Sequence, residues 1–362
     1  MNFDYSDEQE MFRNSVERFA APIDVEARRA LREASGGYER ARWGELAELG
    51  LIALAAPEDA GGMDGSIIDL ALVAEAIGHA NSPDPWLENG VLPARLLAEG
   101  GATEPLGQAL EGARIASFAW AERAQRYNLE PSSTTAKNSD GGFTLTGAKT
   151  FVMGAKLADL FIVTATHEGS GACFLVPADA DGVEVRAYRL ADGSIAGELR
   201  LSSAKLAADA RLDLDPESLR GIIAEMRILA AAEMVGLGQR LLDDTLAYVK
   251  EREQFGVAIG SFQALQHRLV ECYARIEQCR SMLYRAALTE RDGSATWWQA
   301  AAGAKAFIGE NVDAVAREAV QMHGGMGITD ELSIGHAMKR VMVLGMLFGD
   351  AETALADYAV AA

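Results

Sequence analysis

The sequence predicts a mostly α-helical protein with a β domain in its middle. Three observations carry this. Apolar residues recur at helical spacing from Ser6 to about Gly112. From about Ile115 the period falls to two: Phe143-Thr-Leu-Thr-Gly alternates, and Leu160-Phe-Ile-Val-Thr-Ala and Cys173-Phe-Leu-Val-Pro are rich in β formers. Beyond Pro216 the helical period returns and holds to the end in three or four long segments. The expected divisions are an α-helical N-domain over 1–114, an antiparallel β-barrel-like domain over 115–212, and a C-terminal four-helix bundle over 213–362.

Each element has a local cause. Ser6 with Gln9 forms a capping box and opens the first helix, with Phe12, Val16 and Phe19 on one face. A second helical pattern around Trp43, Leu46 and Leu49 stops at Pro57-Glu-Asp-Ala-Gly-Gly, a turn-forming loop. Ser66 starts another helix through Ile67, Leu70, Val73 and Ile77. In the middle domain, Asp140-Gly-Gly and Glu168-Gly-Ser-Gly are hairpin breaks.

Composition then excludes several classes. A chain of 362 residues buries a large core in two or three structural units. A net charge of -20 opposes contact with nucleic-acid phosphates but leaves room for a nucleotide cofactor, which needs only local cations and backbone donors. Cys173, Cys272 and Cys279 have neither a disulfide framework nor metal spacing, so no metal is expected. Cys272 and Cys279 read as core thiols on one helix. The acidic start Met1-Asn-Phe-Asp-Tyr-Ser-Asp-Glu8 has no apolar h-region, and no apolar run matches a membrane span. The expected compartment is the cytoplasm.

The chemistry-bearing motifs lie in the last third. Arg252-Glu253-Gln254-Phe255-Gly256 is followed by Phe262-Gln263-Ala-Leu-Gln266-His267 and then by Gln321-Met-His323-Gly324-Gly325-Met-Gly327. Taken alone, Arg252 could be a helix-end residue in a surface ion pair, with Gly256 as the C-cap. In this order and spacing, the three pieces resemble the flavin-binding C-terminal half of the acyl-CoA dehydrogenase family. The helix–strand–bundle order extends that resemblance over essentially the whole chain. It implies FAD, with Arg252 on the pyrophosphate of a cofactor held mainly by a neighbouring subunit. It places Phe255 beside the adenine end and Phe262, Gln263 and Gln266 nearby. Gln321, Gly324 and Gly325 are implied where backbone approaches the adenosine moiety. His267 and His323 are expected to be structural or cofactor-adjacent.

The middle domain departs from the family pattern. Where family members carry Thr-Glu-Pro-x-x-Gly-Ser-Asp, this chain has Ala121-Glu122-Arg123-Ala-Gln-Arg126-Tyr127-Asn128. Ala121 therefore stands for the Thr that hydrogen-bonds the isoalloxazine, and Tyr127 for the Ser that approaches the acyl-CoA. Gly147-Ala-Lys149-Thr-Phe151-Val152-Met153 matches Gly-x-Lys-x-Trp-Ile-Thr, with Phe151 as the aromatic against the flavin and Met153 in place of the last Thr. Two hydroxyl donors are absent, which leaves backbone N–H groups around Ala121 and Val152. The resemblance also puts Thr353 among the cofactor contacts. Ala-Glu-Arg-x-x-Arg-Tyr-Asn, Gly335-His336-Ala-Met-Lys-Arg340 and Leu347-Phe-Gly-Asp350 are similar to the small subunits of heteromeric bacterial acyl-CoA dehydrogenases of the pimeloyl-CoA and steroid-degradation types. That branch implies a homologous partner subunit in an α2β2 assembly.

The catalytic base is missing from its register. Desaturation of an acyl thioester needs a carboxylate to take the α-proton while the β-hydrogen leaves as hydride. Family members place a Glu about twenty residues past the paired glycines, which falls here on Gly349, or on the helix before Arg252, which falls on Met226. Glu225 is one residue off and turned by about 100°. Asp350 is the remaining candidate, with a helix N-cap bonded near Thr353 as its ordinary reading. Glu233 sits on the apolar stripe of Met226, Leu229, Leu237 and Leu241, where it reads as a buried acid satisfied by an Arg such as Arg227 or Arg240.

The resemblance thus implies FAD-dependent α,β-dehydrogenation of an acyl-CoA substrate, with electrons passed to an electron-transfer flavoprotein. Two other classes compete: a non-catalytic subunit that completes a partner's FAD site, and a flavin oxidase of the nitroalkane oxidase type using Asp350.

Overall fold

The computed structural model describes residues 6–20, 25–33, 38–289, 291 and 294–361. The first five residues, on which much of the expectation about a leader segment rests, lie outside the described residues. The chain divides into two compact units. One comprises Met1–Ala30, Ser66–Ser82 and Ala224–Ala362, the other Leu31–Gly65 and Pro83–Ile223.

In the first unit, α1 (Asp7–Phe19) opens on the Ser6–Gln9 capping box, as the sequence predicts. Its buried face carries Val16. α4 (Ile67–His79) opens on a second box, Ser66–Asp69, and the Gln9 amide donates to Asp69 at 2.9 Å, so the two boxes brace each other. Most of α4 is apolar all round, which marks a helix buried on every side. It crosses α7 (Pro216–Glu251) at close range. A Cβ on Gly78 would meet the Glu233 carbonyl at 2.0 Å, and one on Gly236 would meet the Glu75 carbonyl at 2.0 Å, so only glycine permits the approach.

α8 (Gln263–Ala287) and α9 (Ala295–His323) pack on one another, and α9 also receives α10 (Ser333–Met346) and α11 (Ala351–Ala361). The C-terminal part is the expected helical bundle. α10 and α11 are separated at Leu347–Asp350, where Phe348 (φ 60°) and Gly349 (φ 112°) both take left-handed backbone. Cys272 and Cys279 are buried core thiols as predicted, and burial pushes them up to about 11 and about 12.

In the second unit, α3 (Arg40–Glu48) buries Trp43 and Leu46, while Leu49 stands past its end and is exposed. A short, charge-rich helix not expected from the sequence, α2 (Val25–Glu33), has residues on both sides of the division. A wholly buried π-helical turn, Trp86–Val91, precedes α5 (Leu92–Glu99) and α6 (Thr103–Leu110).

The sheet comprises β1 (Ala116–Ala119), β2 (Thr135–Ser139), β3 (Gly142–Met153), β4 (Leu160–His167), β5 (Ser170–Pro177), β6 (Val183–Arg189) and β7 (Ile195–Ala207). Both predicted hairpin breaks are present. Asp140-Gly141 links β2 to β3, and Glu168-Gly169, both at positive φ, links β4 to β5.

The expected antiparallel sheet is in fact mixed. β4 pairs β5 on one edge, and its other edge is shared by β1 and β2, both parallel to it. Strands joined by tight turns must be antiparallel, whereas β1 and β4 are separated by a long connection and can run the same way. Asp159 aligns their starts: its carboxylate accepts from the Ile115 amide at 2.9 Å and its own amide donates to the Ile115 carbonyl. The core of this unit is Phe161, Phe174, Leu145 and Leu199, with Phe143 edge-on to Phe174.

Candidate functional site

In the second unit the predicted flavin strand is bulged. Lys149 pairs Leu199 and Val152 pairs Gly197, so Thr150 and Phe151 on β3 face one residue of β7. The extra residue is accommodated by Phe151 at φ 54°, a left-handed conformation uncommon for an aromatic side chain. Phe151 is half-buried and Val152 is buried. The Thr150 amide donates to the Ala121 carbonyl at 2.9 Å, so two of the predicted flavin positions, Ala121 and Phe151, are brought together.

Beneath them lies a buried ion pair that the sequence reading missed. Lys149 Nζ donates to Glu122 at 2.8 Å, to Thr164 Oγ1 at 2.9 Å and to the Trp120 carbonyl at 3.2 Å. Glu122 also accepts from both amide and hydroxyl of Ser132 and Ser133 and from the Thr134 amide. Burial alone would raise the Glu122 pKa. The hydrogen bonds from Lys149, Thr134 and Ser132, with the Lys149 charge, outweigh it and hold the carboxyl well below the usual Glu range. The pair closes the Glu122–Thr134 loop that carries Tyr127. Tyr127 is half-buried, with the Arg126 guanidinium 5.8 Å from its ring centroid and Arg126 itself at φ 47°. The signal for Lys149 was present in the Gly-x-Lys motif, but nothing in the sequence paired it with Glu122.

In the first unit, the Arg252–Gly256 segment corrects the expectation of Gly256 as a helix C-cap. α7 stops at Glu251, and β8 (Glu253–Gln254) and β9 (Val257–Ala258) form a hairpin. Its turn residues Phe255 (φ 58°) and Gly256 (φ 81°) both have positive φ, the type I′ arrangement. That turn holds Phe255 out at 92% exposure, edge-on to Phe262 at 6.2 Å. Gln263 is exposed as the first residue of α8, and Gln266 donates to the Gly260 carbonyl. The Arg252 side chain is exposed, and among the described residues nothing pairs with its guanidinium.

Tyr248, one turn before Arg252, stacks on His323 at 4.2 Å. The end of α7 and the glycine segment after α9 are thereby neighbours. His323 is buried, and its Nδ1–H donates to the Ala319 carbonyl at 2.8 Å, which makes it structural. Gln321, Gly324 and Gly325 are exposed, and a Cβ on either glycine would meet nothing within 4 Å. An unpaired guanidinium, two exposed aromatic rings and open glycine backbone fit the adenosine-diphosphate end of FAD.

At the turn between α10 and α11, Asp350 accepts from the Thr353 amide at 2.8 Å and so caps α11. Thr353 meets Asp350 through that amide. Arg227 donates to the Phe348 carbonyl at 2.8 Å and pairs Asp357 at 2.7 Å. Lys305, also unforeseen, is buried and donates to the carbonyls of Leu344 and Gly345. Burial, with the Arg227 charge, pushes its ammonium down to about 7 against the opposing pull of Asp350.

Met226 is wholly buried, and Glu225 pairs Arg291 at 3.0 Å. Glu233 is a buried, satisfied acid as read, but its partner is Arg340, at 2.7 and 3.0 Å; Arg240 pairs Asp244 instead. Arg340 lies 107 residues away in sequence, beyond any helical-neighbour rule. Among the described residues no His, Cys, Asp and Glu group could hold a metal ion, and no helix is long and apolar enough to cross a membrane.

Comparison with known proteins gives matches along the whole chain. The N-terminal, middle and C-terminal domain models of acyl-CoA dehydrogenase match residues 6–104, 117–203 and 218–361. The acyl-CoA dehydrogenase IpdE2 of Mycolicibacterium smegmatis is 32% identical over 353 residues, covering 95% of each chain. The ChsE4-ChsE5 complex from Mycobacterium tuberculosis contains a chain that superposes with a TM-score of 0.87 at 28% identity, covering 98% of this chain and 97% of that one. An FAD complex of PigA superposes at 0.88 with 25% identity, covering 99% and 98%.

Proposed function

This chain belongs to the acyl-CoA dehydrogenase family, and from that premise we propose that it works as one subunit of a heteromer whose homologous partner supplies the catalytic base. The reaction is FAD-dependent α,β-dehydrogenation of an acyl-CoA thioester, with electrons leaving to an electron-transfer flavoprotein in the cytoplasm. The observation that carries the proposal is a mismatch. The cofactor's nucleotide end is provided for, while both register positions of the base are empty of acid, at Gly349 and Met226. Asp350 is engaged as a helix cap, which argues against the oxidase reading. The likeness to a chain of the ChsE4-ChsE5 complex supports a two-chain assembly.

The residues take the following roles. Arg252 neutralises pyrophosphate charge, Phe255 and Phe262 cover the adenine, and Gly324 and Gly325 admit backbone beside the adenosine. Backbone around Ala121 and Val152 donates to the flavin ring, and Phe151 lies against it. Glu122 and Lys149 hold the Tyr127 loop beside the acyl thioester. When bound, FAD supplies the acceptor for the β-hydride. The α-proton goes to a carboxylate of the partner subunit.

Arg252→Ala tests the cofactor assignment. The variant should stay folded and lose flavin on gel filtration, because among the described residues the Arg252 guanidinium has no structural partner to lose. Full FAD occupancy in that variant would sink the assignment. The reading of this chain as a non-catalytic scaffold is separated by asking whether flavin bound through it bleaches with acyl-CoA.

A further inference from the structure

The buried π-helical turn Trp86–Val91 carries Asn89, an amide with no role in the site described above. Asn89 is 2% exposed. Its Nδ2 donates to Ser117 Oγ at 2.7 Å and to the Ala116 carbonyl at 3.0 Å, with the Met153 carbonyl at 3.4 Å. Three oxygens around one amide nitrogen fix the orientation, since a flipped amide would set oxygen against oxygen. The other end, Oδ1, is buried and has no hydrogen-bond partner among the described residues. It lies against Gly154: a Cβ there would stand 2.2 Å from Oδ1 and 2.4 Å from Nδ2. Gly154 is at φ 65°, and its amide donates to the Ile195 carbonyl at 2.7 Å.

A buried acceptor left without a donor is destabilising, so this arrangement is costly for packing alone. What it accomplishes is a cross-link. Asn89 ties the start of β1 to Met153, the end of β3, and to Gly154 after it, one residue beyond the strained Thr150–Phe151 bulge. π-Helical turns and strained backbone both concentrate at functional sites. The lost hydroxyls at Ala121 and Met153 make backbone placement here more demanding, because amides alone must meet the flavin ring.

We propose that Asn89 is a positioning residue for bound flavin, which fixes Met153–Gly154 so that the Phe151–Met153 backbone keeps its donor geometry. This rests on the reading of Phe151 and Val152 as flavin contacts. Asn89→Leu keeps the volume and removes the cross-link. Ser117→Ala removes one acceptor and leaves the rest.

Both are measured in the FAD-loaded heteromer, through the two-electron flavin potential, the visible flavin band, and KM for acyl-CoA. Asn89→Leu should change the balance of oxidised and reduced flavin at least tenfold, about 30 mV for a two-electron couple. Ser117→Ala should shift it the same way by less, with KM within about twofold of wild type in both. Wild-type potentials and bands in both folded, loaded variants would overturn the proposal. Should Asn89→Leu not fold, an unchanged potential in Ser117→Ala overturns it alone. A wild-type heteromer that holds no FAD contradicts the functional reading itself, and this inference falls with it.

Discussion

Removing the Glu122 carboxylate should be among the most damaging single changes in the middle domain. The Glu122 and Lys149 side chains are 2% and 0% exposed with their charged atoms 2.8 Å apart, so screening by water is negligible. Glu122→Ala leaves the Lys149 ammonium buried without its counter-charge, at a cost of about 3–5 kcal/mol for a broken buried pair. The amides and hydroxyls of Ser132 and Ser133 and the Thr134 amide also lose their acceptor, which puts the expectation near the top of that range. The assay is urea unfolding at neutral pH, with m compared between variants. Glu122→Ala/Lys149→Met should recover more than half of the loss, because the uncompensated charge is then gone. The pH dependence has a fixed sign: the folded-state pKa of Glu122 lies below its ordinary value near 4.5, so its contribution is present above that pH and lost as pH falls. A loss below about 1 kcal/mol in the single variant, or a strictly additive double variant, would refute the reasoning.

Two further outcomes follow from buried charges in the first unit. Lys305 has a folded pKa of about 7 against an ordinary 10.5, so the unfolded chain binds more protons between those values and stability rises with pH across that window. Lys305→Met should flatten that rise in denaturant midpoints taken from pH 7 to 10, and an unchanged slope contradicts the assignment. Arg340→Met strands the Glu233 carboxylate and should cost about 3–5 kcal/mol, most of it regained in Arg340→Met/Glu233→Met. A double variant no more stable than Arg340→Met would show that the pair is not coupled.

Much of the architecture was legible because it is local. The capping box at Ser6, the hairpin breaks at Asp140-Gly141 and Glu168-Gly169, and the long helices after Pro216 are each set by neighbouring residues. What escaped depends on distant partners. The parallel pairing of β1 with β4 leaves no mark in either strand. β6 and β7 escaped because exposed, charged or Ala-rich strands alternate weakly. Within the site, motif spacing found Arg252 and Phe255, but the hairpin that displays Phe255 shows only in backbone angles. Glu122 and Asn89 act through contacts 10 to 64 residues apart, and no period or short motif reports those.

Exchange of the substrate α-proton decides whether the base comes from the partner subunit. In the heteromer reconstituted with FAD, Asp350→Asn should leave exchange of the acyl-CoA α-proton and flavin bleaching within a few fold of wild type, because Asp350 only caps α11. Exchange falling by several orders of magnitude with FAD still bound would place the base on this chain and contradict the account.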